Sequence, residues 1–439
     1  MNMNKQAPLS VCKYMLTSIT STFFTGLLVI SSVQASAQNT VSLPWALEQT
    51  LLNNIQLQTF PYDLRIEEAQ VLQAGITPNP ELSLSIDNVF GTGETTGVDT
   101  TETTLVLSQL IELGDKRQRR IDFSLSTKQQ QISDYELQRL SILSETTRRF
   151  YQLLRLQALK DWNQRRIRFE AQALKDIKAR AKAGNVLQAD VSKMTLELAH
   201  SRIALQNLTG QLITTKQRLA SMWAKDVTFD SVEGALTLPS TYPTAASVLN
   251  AIETAPEYLK LLSVERVMQA KRRLEEAQGQ YDINLGVGVR RFEDYDDTAL
   301  VFSFSMPLNL TNPNQGNILA AKIAEDKVFQ QQKLFRQQLR LTLLEIHQAM
   351  MNNANQAIRL KQELLPLAKQ LLTDTQTAYQ TGHATVLQLV DAQKELFSIE
   401  REIIEADTAV YLQRLELEHI TGQAIPATTM ASVNALEIK

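Results

Sequence analysis

Two pairs of residues in this chain have the type and spacing of a metal site. Glu197 and His200, and again Glu416 and His419, follow the Glu-x-x-His pattern with which helical bundles hold paired iron or manganese, since residues three apart share a helix face. Position argues against a shared centre. His200 lies 16 residues beyond Gly184, whereas His419 lies 37 beyond Gly382, the two turn glycines. With the hairpins in register, that difference of 21 residues is about 32 Å of helix at 1.5 Å per residue. The four residues therefore read as solvated faces of long helices. Gly91-Thr92-Gly93 followed by Gly97 has glycines like those of a phosphate loop, but no helix opens there and the spacing is wrong, so it reads as a hairpin loop. His347 and His383 stand alone on polar stretches and read as surface residues. With no nucleophile and base constellation either, the reading assigns no catalytic, cofactor-binding or metal-ligating residue and no enzyme activity.

The elements that carry these residues occur twice. Each copy has two strand-like runs, a very long polar helix, a glycine turn and a returning helix, and the turns Gly184 and Gly382 set a period of 198 residues. At that offset Glu197 and Leu198 fall on Glu395 and Leu396, and Leu219 falls on Leu417. Residues 115–183 contain neither Gly nor Pro and are rich in Gln, Arg, Leu and Glu, which predicts a helical rod of roughly 100 Å. Ile121, Leu125, Ile132, Tyr135, Leu143, Phe150 and Leu154 recur mostly at threes, fours and sevens, the narrow seam of a coiled coil.

The first repeat is expected over 38–226, with strands at about 81–90 and 103–113 and a helical hairpin over 115–223. A linker, 227–244, leads to a second repeat over 245–422, with strands at about 283–292 and 299–310 and a hairpin over 315–420. Shorter helices precede the strands, over about 43–74 and 245–278, and the tail 423–439 is expected to be loosely packed. Pro366 should kink the second rod or break one of its hydrogen bonds. In the strands, Leu82, Leu84 and Ile86 alternate with Ser83, Ser85 and Asp87, Leu105, Leu107 and Ile111 with Thr104, Ser108 and Glu112, and Leu285, Val287 and Val289 with Gly286, Gly288 and Arg290, followed by Leu300, Phe302, Phe304, Met306 and Leu308. Period two of this kind makes a sheet apolar on one side.

Residues 1–37 read as a secretory signal: Lys5 and Lys13 precede an apolar stretch centred on Phe23 to Ile30, and Ala35-Ser36-Ala37 suits cleavage, so the mature chain would begin at Gln38. Removing those two lysines leaves 42 basic against 47 acidic residues, about minus 5, with no footprint for nucleic acid. Cys12, the only cysteine, has Val11 before it where a lipoprotein signal needs a small residue, so neither a lipid anchor nor a disulfide is expected. Beyond residue 37 no run of about 18 apolar residues offers a membrane helix. A bilayer would have to be met with strands, and four strands cannot close a barrel, whose smallest form has eight. Copies of the chain must pool them.

The plan, with "AKAGNVLQADVSKMTLEL" at the first turn and "YQTGHATVLQLVDAQKEL" at the second, resembles the TolC-type outer-membrane efflux family across the whole mature chain. The resemblance implies a mainly α fold with a membrane β part: a homotrimer whose twelve-stranded barrel sits in outer-membrane lipid of a Gram-negative bacterium and continues as a helical tunnel through the periplasm. It implies a passive channel, with a periplasmic adaptor and an inner-membrane RND-type pump as partners. Tyr379 and Asp190 stand where the family ties its helices shut, Asp391 where it carries an acidic ring, and Gln388 where some relatives have a further acid. The turns Ala183, Gly184, Asn185 and Gly382, His383, Ala384 would meet the adaptor. "SQLIELGDKRQRR" resembles the CzcC-like branch that exports cobalt, zinc and cadmium, which more often has a second Gly where Asp115 stands. Multidrug efflux or type I protein secretion are the alternative cargoes, and a soluble periplasmic coiled-coil scaffold is the alternative of a different class.

Overall fold

The structure, a computed structural model, describes residues 40–308, 311–422 and 427–429. In chain order these form β1 (Thr40–Val41), α1 (Leu43–Asn53), α2 (Ile55–Ala74), β2 (Glu81–Asp87), β3 (Glu102–Glu112), α3 (Lys116–Lys182) and α4 (Gln188–Ala220). The second half comprises β4 (Ser231–Val232), β5 (Thr241–Pro243), α5 (Ala245–Asn250), α6 (Pro256–Gln278), β6 (Asp282–Phe292), β7 (Asp297–Ser305), α7 (Gln315–Arg359), α8 (Leu365–Gln380), α9 (Val386–Thr421) and β8 (Ala427–Thr429). The expected signal segment and the start at Gln38 lie outside the described residues, as do Asn309 and Leu310 of the expected fourth strand. The tail differs from expectation where it is described, because β8 pairs antiparallel with β5.

One antiparallel sheet runs in the order β2-β3-β6-β7. Its register lines up apolar residues in rows straight across all four strands: Leu82, Leu107, Val287, Phe302 and Leu84, Leu105, Val289, Leu300. Side chains alternate along a strand, so these rows share one face, and on it the large residues remain 40% to 78% exposed. The other face carries smaller side chains, with Ser83, Ser85, Ser108, Gly286, Gly288 and Ser303 beside Val106 and Val301. Gly288 suits that face because a Cβ there would overlap the Leu105 carbonyl oxygen. The first strand stops at Asp87 rather than residue 90, since Asn88 and Phe90 take left-handed backbone conformations that an extended strand cannot accept. Both outer strands, β2 and β7, keep one edge free of any partner among the described residues.

The long helices carry the core as a seam rather than a globule. Phe150, Leu153, Leu154, Leu219 and Trp223 bury one stretch, Leu339, Leu343, Met350, Val410 and Leu417 its counterpart in the second repeat, and Ile177, Val191, Met194, Leu372 and Val390 a third near the turns. Each such side chain contributes about 1.5–3 kcal/mol through burial. The expected single helix over 43–74 breaks at Asn54, whose side chain accepts from the amides of Gln56 and Leu57 and caps α2. His347 is not the surface residue its polar neighbours suggest. It is 2% exposed, and its Nε2 lies 2.9 Å from the Pro243 carbonyl, pinning β5 against α7.

Pro366 acts one turn upstream of itself. Residues Leu360–Leu364 widen into a π-helical turn between α7 and α8, which accommodates both the missing proline amide and the clash of its ring with the preceding turn. Lys361 in that turn donates to Asp407 of α9 at 2.8 Å. Burial raises the Asp407 carboxyl above the ordinary carboxylate range, although Lys361 pulls it down.

The strand-to-helix corner explains the segment 108–120. Gly114 and Asp115 both have left-handed backbones, which accounts for the fitness of a second Gly at the latter position. Asp282 accepts from the Leu113 amide at 3.1 Å and from Lys116 at 2.7 Å. Arg120 grips Glu112 with both terminal nitrogens and donates to the carbonyls of Ala74 and Ile76, each at 3.3 Å, at the end of α2. The motif is therefore a structural corner joining sheet to rod.

Two expectations follow. Arg120→Ala leaves Glu112 and two carbonyls without their donor and should cost about 1–3 kcal/mol, read as a lower unfolding midpoint. A carboxyl that binds its proton more tightly folded than unfolded adds stability as pH falls through its raised value, and the gain is complete near its unfolded value of about 3.9. Acid titration should accordingly shift the stability difference between wild type and Asp407→Asn in favour of wild type, as read by chemical unfolding at several pH values.

Candidate functional site: the hairpin tips

The two glycine turns are built alike. In the first, the Gly184 amide donates to Ala181 and the Asn185 amide to Arg180; in the second, Gly382 donates to Tyr379 and His383 to Ala378. This crossed pair of bonds satisfies the last carbonyls of a helix and needs a left-handed residue at its centre, here Gly184 at φ 78° and Gly382 at φ 80°. A Cβ on either glycine would meet nothing within 4 Å. Ala183, Gly184, Asn185, Gly382 and His383 are exposed, and Ala384 is half-buried against the third core cluster. Each turn thus presents a short blunt surface of small side chains. His383 spends its Nδ1 on Thr381 Oγ1 at 3.0 Å rather than facing another ligating group.

Behind the turns, α3 of the first repeat runs antiparallel to α9 of the second, joined by a ladder of contacts. Arg148 pairs with Glu416 at 2.5 Å, Arg155 forks onto Glu405 at 2.5 and 2.7 Å, and the Trp162 indole donates to the Phe397 carbonyl at 3.1 Å. Arg165 meets Glu400 at 3.2 Å. The last rung is Arg180, whose Nη1 donates to the Tyr379 carbonyl at 3.0 Å and whose Cζ lies 4.5 Å from the centre of the Tyr379 ring. A cation over an aromatic face contributes about 0.5–2 kcal/mol, and a charged hydrogen bond about 1.5–3 kcal/mol.

Tyr379 is 8% exposed, and its hydroxyl finds no hydrogen-bond partner within the described chain. The Tyr379–Asp190 hydrogen bond that the resemblance suggests is therefore not formed within one chain. Asp190 acts on Tyr379 as a charge instead: burial raises the phenol, Arg180 opposes this, and Asp190 and Asp176 add to the rise. Asp391 is exposed on α9, free to face solvent. Gln388 has a local task, because its side chain accepts from the Thr385 amide at 2.8 Å while its own amide donates to Thr385 Oγ1 at 3.3 Å. That reciprocal cap starts α9.

The glutamates of the Glu-x-x-His pairs are held by the same scaffold, and Glu197, expected on a solvated face, is buried against its cationic neighbours. Glu197 is ringed by cations, with Lys193 at 3.0 Å and Lys394 at 2.9 Å. Burial alone would raise its carboxyl, yet these two lysines hold it below the ordinary range. Glu416 serves Arg148, and His200 is exposed. Among the described residues no cluster of His, Cys, Asp or Glu could hold a metal ion. Arg180 is the residue that sequence reasoning missed. A base in the last turn before a helix-ending glycine was a visible signal, since cations favour that end of the helix dipole.

The chain's relatives fit this geometry. The sequence profile of the family described as "Outer membrane efflux protein" matches residues 46–225. The cobalt-zinc-cadmium resistance protein CzcC of Cupriavidus metallidurans is 23% identical over 404 residues, 91% of this chain and 94% of that protein. Among solved structures, the outer membrane protein VceC of Vibrio cholerae superposes with a TM-score of 0.72 at 18% identity, covering 88% of this chain and 97% of its own. The CmeC outer membrane channel of Campylobacter jejuni superposes with a TM-score of 0.68 at 13% identity, covering 90% and 88%. Residues 46–225 thus match the outer membrane efflux protein family, and the chain, with its paired hairpins and half-exposed apolar sheet, has the fold of the VceC and CmeC outer membrane proteins.

Proposed function

We propose that three copies of this chain form a passive exit duct for divalent metal cations, fed by a periplasmic adaptor and an inner-membrane RND-type pump that supplies the energy. The carrying observation is the sheet: its exposed face is a block of large apolar side chains and its two edges are free. A soluble scaffold does not present such a face to water, whereas lipid covers it at no cost. Free edges in a bilayer must be paired, and three four-stranded sheets give the twelve strands of a closed barrel. The chain carries no lipid anchor in this reading, so the barrel alone holds it in the outer membrane. The hairpins then extend into the periplasm, with Tyr379, Asp190, Asp391 and Gln388 grouped at the entrance and the turns at Gly184 and Gly382 facing the adaptor.

The cargo rests on the likeness to CzcC along nearly its whole length. The segment 108–120 adds nothing chemical to it, being a structural corner. The acidic loop Glu293, Asp294, Asp296, Asp297 is a surface turn in which Arg291 already meets Glu293 at 3.6 Å and pairs with Asp296. Asp391 remains the acid placed to bias cations, as acidic rings do in cation channels.

Deleting the gene should sensitise cells to cobalt, zinc or cadmium more than to hydrophobic drugs, measured as minimal inhibitory concentrations. The reverse pattern would keep the duct and assign it to multidrug export. Gly382→Trp should abolish export while detergent-solubilised protein retains about three times the chain mass. Gly382→Asn, which tolerates the left-handed backbone, should keep both. Export surviving the tryptophan would place adaptor docking elsewhere.

A further inference from the structure

The two repeats diverge at one station of their rods. Asn163 in α3 and Lys361 in the second rod each lie 21 residues before their turn glycine, and each reaches the returning helix of its own hairpin. Asn163, fully buried, donates to the Ser201 carbonyl at 2.8 Å, whereas Lys361 donates to the Asp407 carboxylate at 2.8 Å. The first contact contains no titratable group, and Thr209, the counterpart of Asp407 at the repeat offset, is exposed. The second is an ion pair seated on the π-helical turn Leu360–Leu364, just ahead of Pro366, where the rod has its poorest hydrogen-bond ladder. A titratable contact and a mechanical joint therefore coincide in the second repeat alone.

The members of the pair are unequally placed. Asp407 is 3% exposed, while the Lys361 side chain keeps 33% of its surface in water. Tyr242 of β5 lies near enough to feel the Asp407 charge, and Tyr411 stands one turn along α9. The cations of α3 are committed elsewhere, Arg148 to Glu416 and Arg155 to Glu405, and on the second rod His347 meets the Pro243 carbonyl while Arg359 and Glu363 are exposed. Lys361 is thus the cation that answers Asp407. Because burial outweighs that answer and raises the carboxyl, Asp407 takes up a proton in milder acid than an exposed aspartate does.

We propose that Lys361 and Asp407 form a proton-responsive anchor on the joint of the second rod: the ionised pair holds the π turn to α9, and proton uptake by Asp407 lets Lys361 turn to water and releases the turn. One proton is bound and none is lost, since the ammonium keeps its own. The first rod, anchored through Asn163, does not respond. Neutral Asp407 stays buried, so the fold as a whole gains stability in acid while this one turn loosens. The inference is independent of what the duct carries.

The test is amide hydrogen exchange of the purified, assembled protein in detergent, read by mass spectrometry at about pH 7.5 and about pH 4.5 and corrected for the intrinsic pH dependence of exchange. Wild-type amides over 358–365 should lose protection about ten-fold or more on acidification, whereas those over 158–168 should hold within about two-fold. Asp407→Asn and Lys361→Met should each show the loosened turn already at the higher pH and respond no further to acid. Equal protection of the wild-type turn at both pH values overturns the anchor, and so does an acid response that survives in Asp407→Asn. Loosening of both stations together overturns it as well, since acid would then act on the rods in general. Should one variant fail to assemble, the other and the wild-type pH comparison decide on the same outcomes.

Discussion

Backbone hydrogen bonding in the absence of water is the constraint on which the rest of this structure depends. Each residue brings an amide and a carbonyl that hydrocarbon cannot satisfy, so a strand exposed to lipid must be paired on both sides. The sheet of this chain satisfies its two inner strands and leaves β2 and β7 each with an open edge. Its outward rows of Leu, Val and Phe add a second demand, since water does not tolerate them as a contiguous block. Closure with further copies answers both demands at once. The rods inherit that arrangement: Glu112, Arg120, Lys116 and Asp282 lock the end of β3 to the start of α3, so the placement of the helices follows from the placement of the strands.

Duplication supplies the rods, and small departures from it give the two copies different mechanics. α3 runs 67 residues without a break. Its counterpart carries a π-helical turn at Leu360–Leu364, and the 16 residues beyond it form the separate helix α8. A π turn has a poorer hydrogen-bond ladder and marks a place where a helix can bend. Lys361 anchors that turn to Asp407 of α9. The first repeat is thus a stiff stave and the second a jointed one, and the contact of Arg180 with Tyr379 is where the stiff member holds the jointed member.

Periodicity and punctuation made most of this fold legible. Gly184 and Gly382 announced their turns because helix termination there demands a left-handed residue, and alternating strands announced the sheet because side-chain direction has period two. What stayed hidden was partnership across the repeats. His347 sits among polar neighbours in sequence, yet the chain folds it under β5. Gln388 gives no sign in its own neighbourhood of sequence of a special task, and only the fold reveals that it caps α9. Arg180 and Tyr379 are 199 residues apart, and neither charge pattern nor spacing connects them. Local physics is written in short words, whereas a contact between two long helices depends on their relative rotation, which no window of the sequence contains.

Weak binding is the final link between this architecture and transport. Acids of the kind that ligate metals are already spent: Glu197 on Lys193 and Lys394, Glu416 on Arg148, Asp407 on Lys361. Each is held by a cation of the scaffold, so its charge contributes to helix packing and is largely neutralised toward a passing ion. A duct gains from this economy, because conduction requires sites weak enough to release what enters them. Asp391, exposed on α9 at the tip, is an acid that the scaffold leaves to solvent. In the proposed trimeric duct, such a carboxylate repeated by symmetry would make a ring whose field attracts cations without chelating them. On that proposal, selectivity at the entrance would be a shallow electrostatic preference, and the stringent choice of cargo would fall to the components that deliver it.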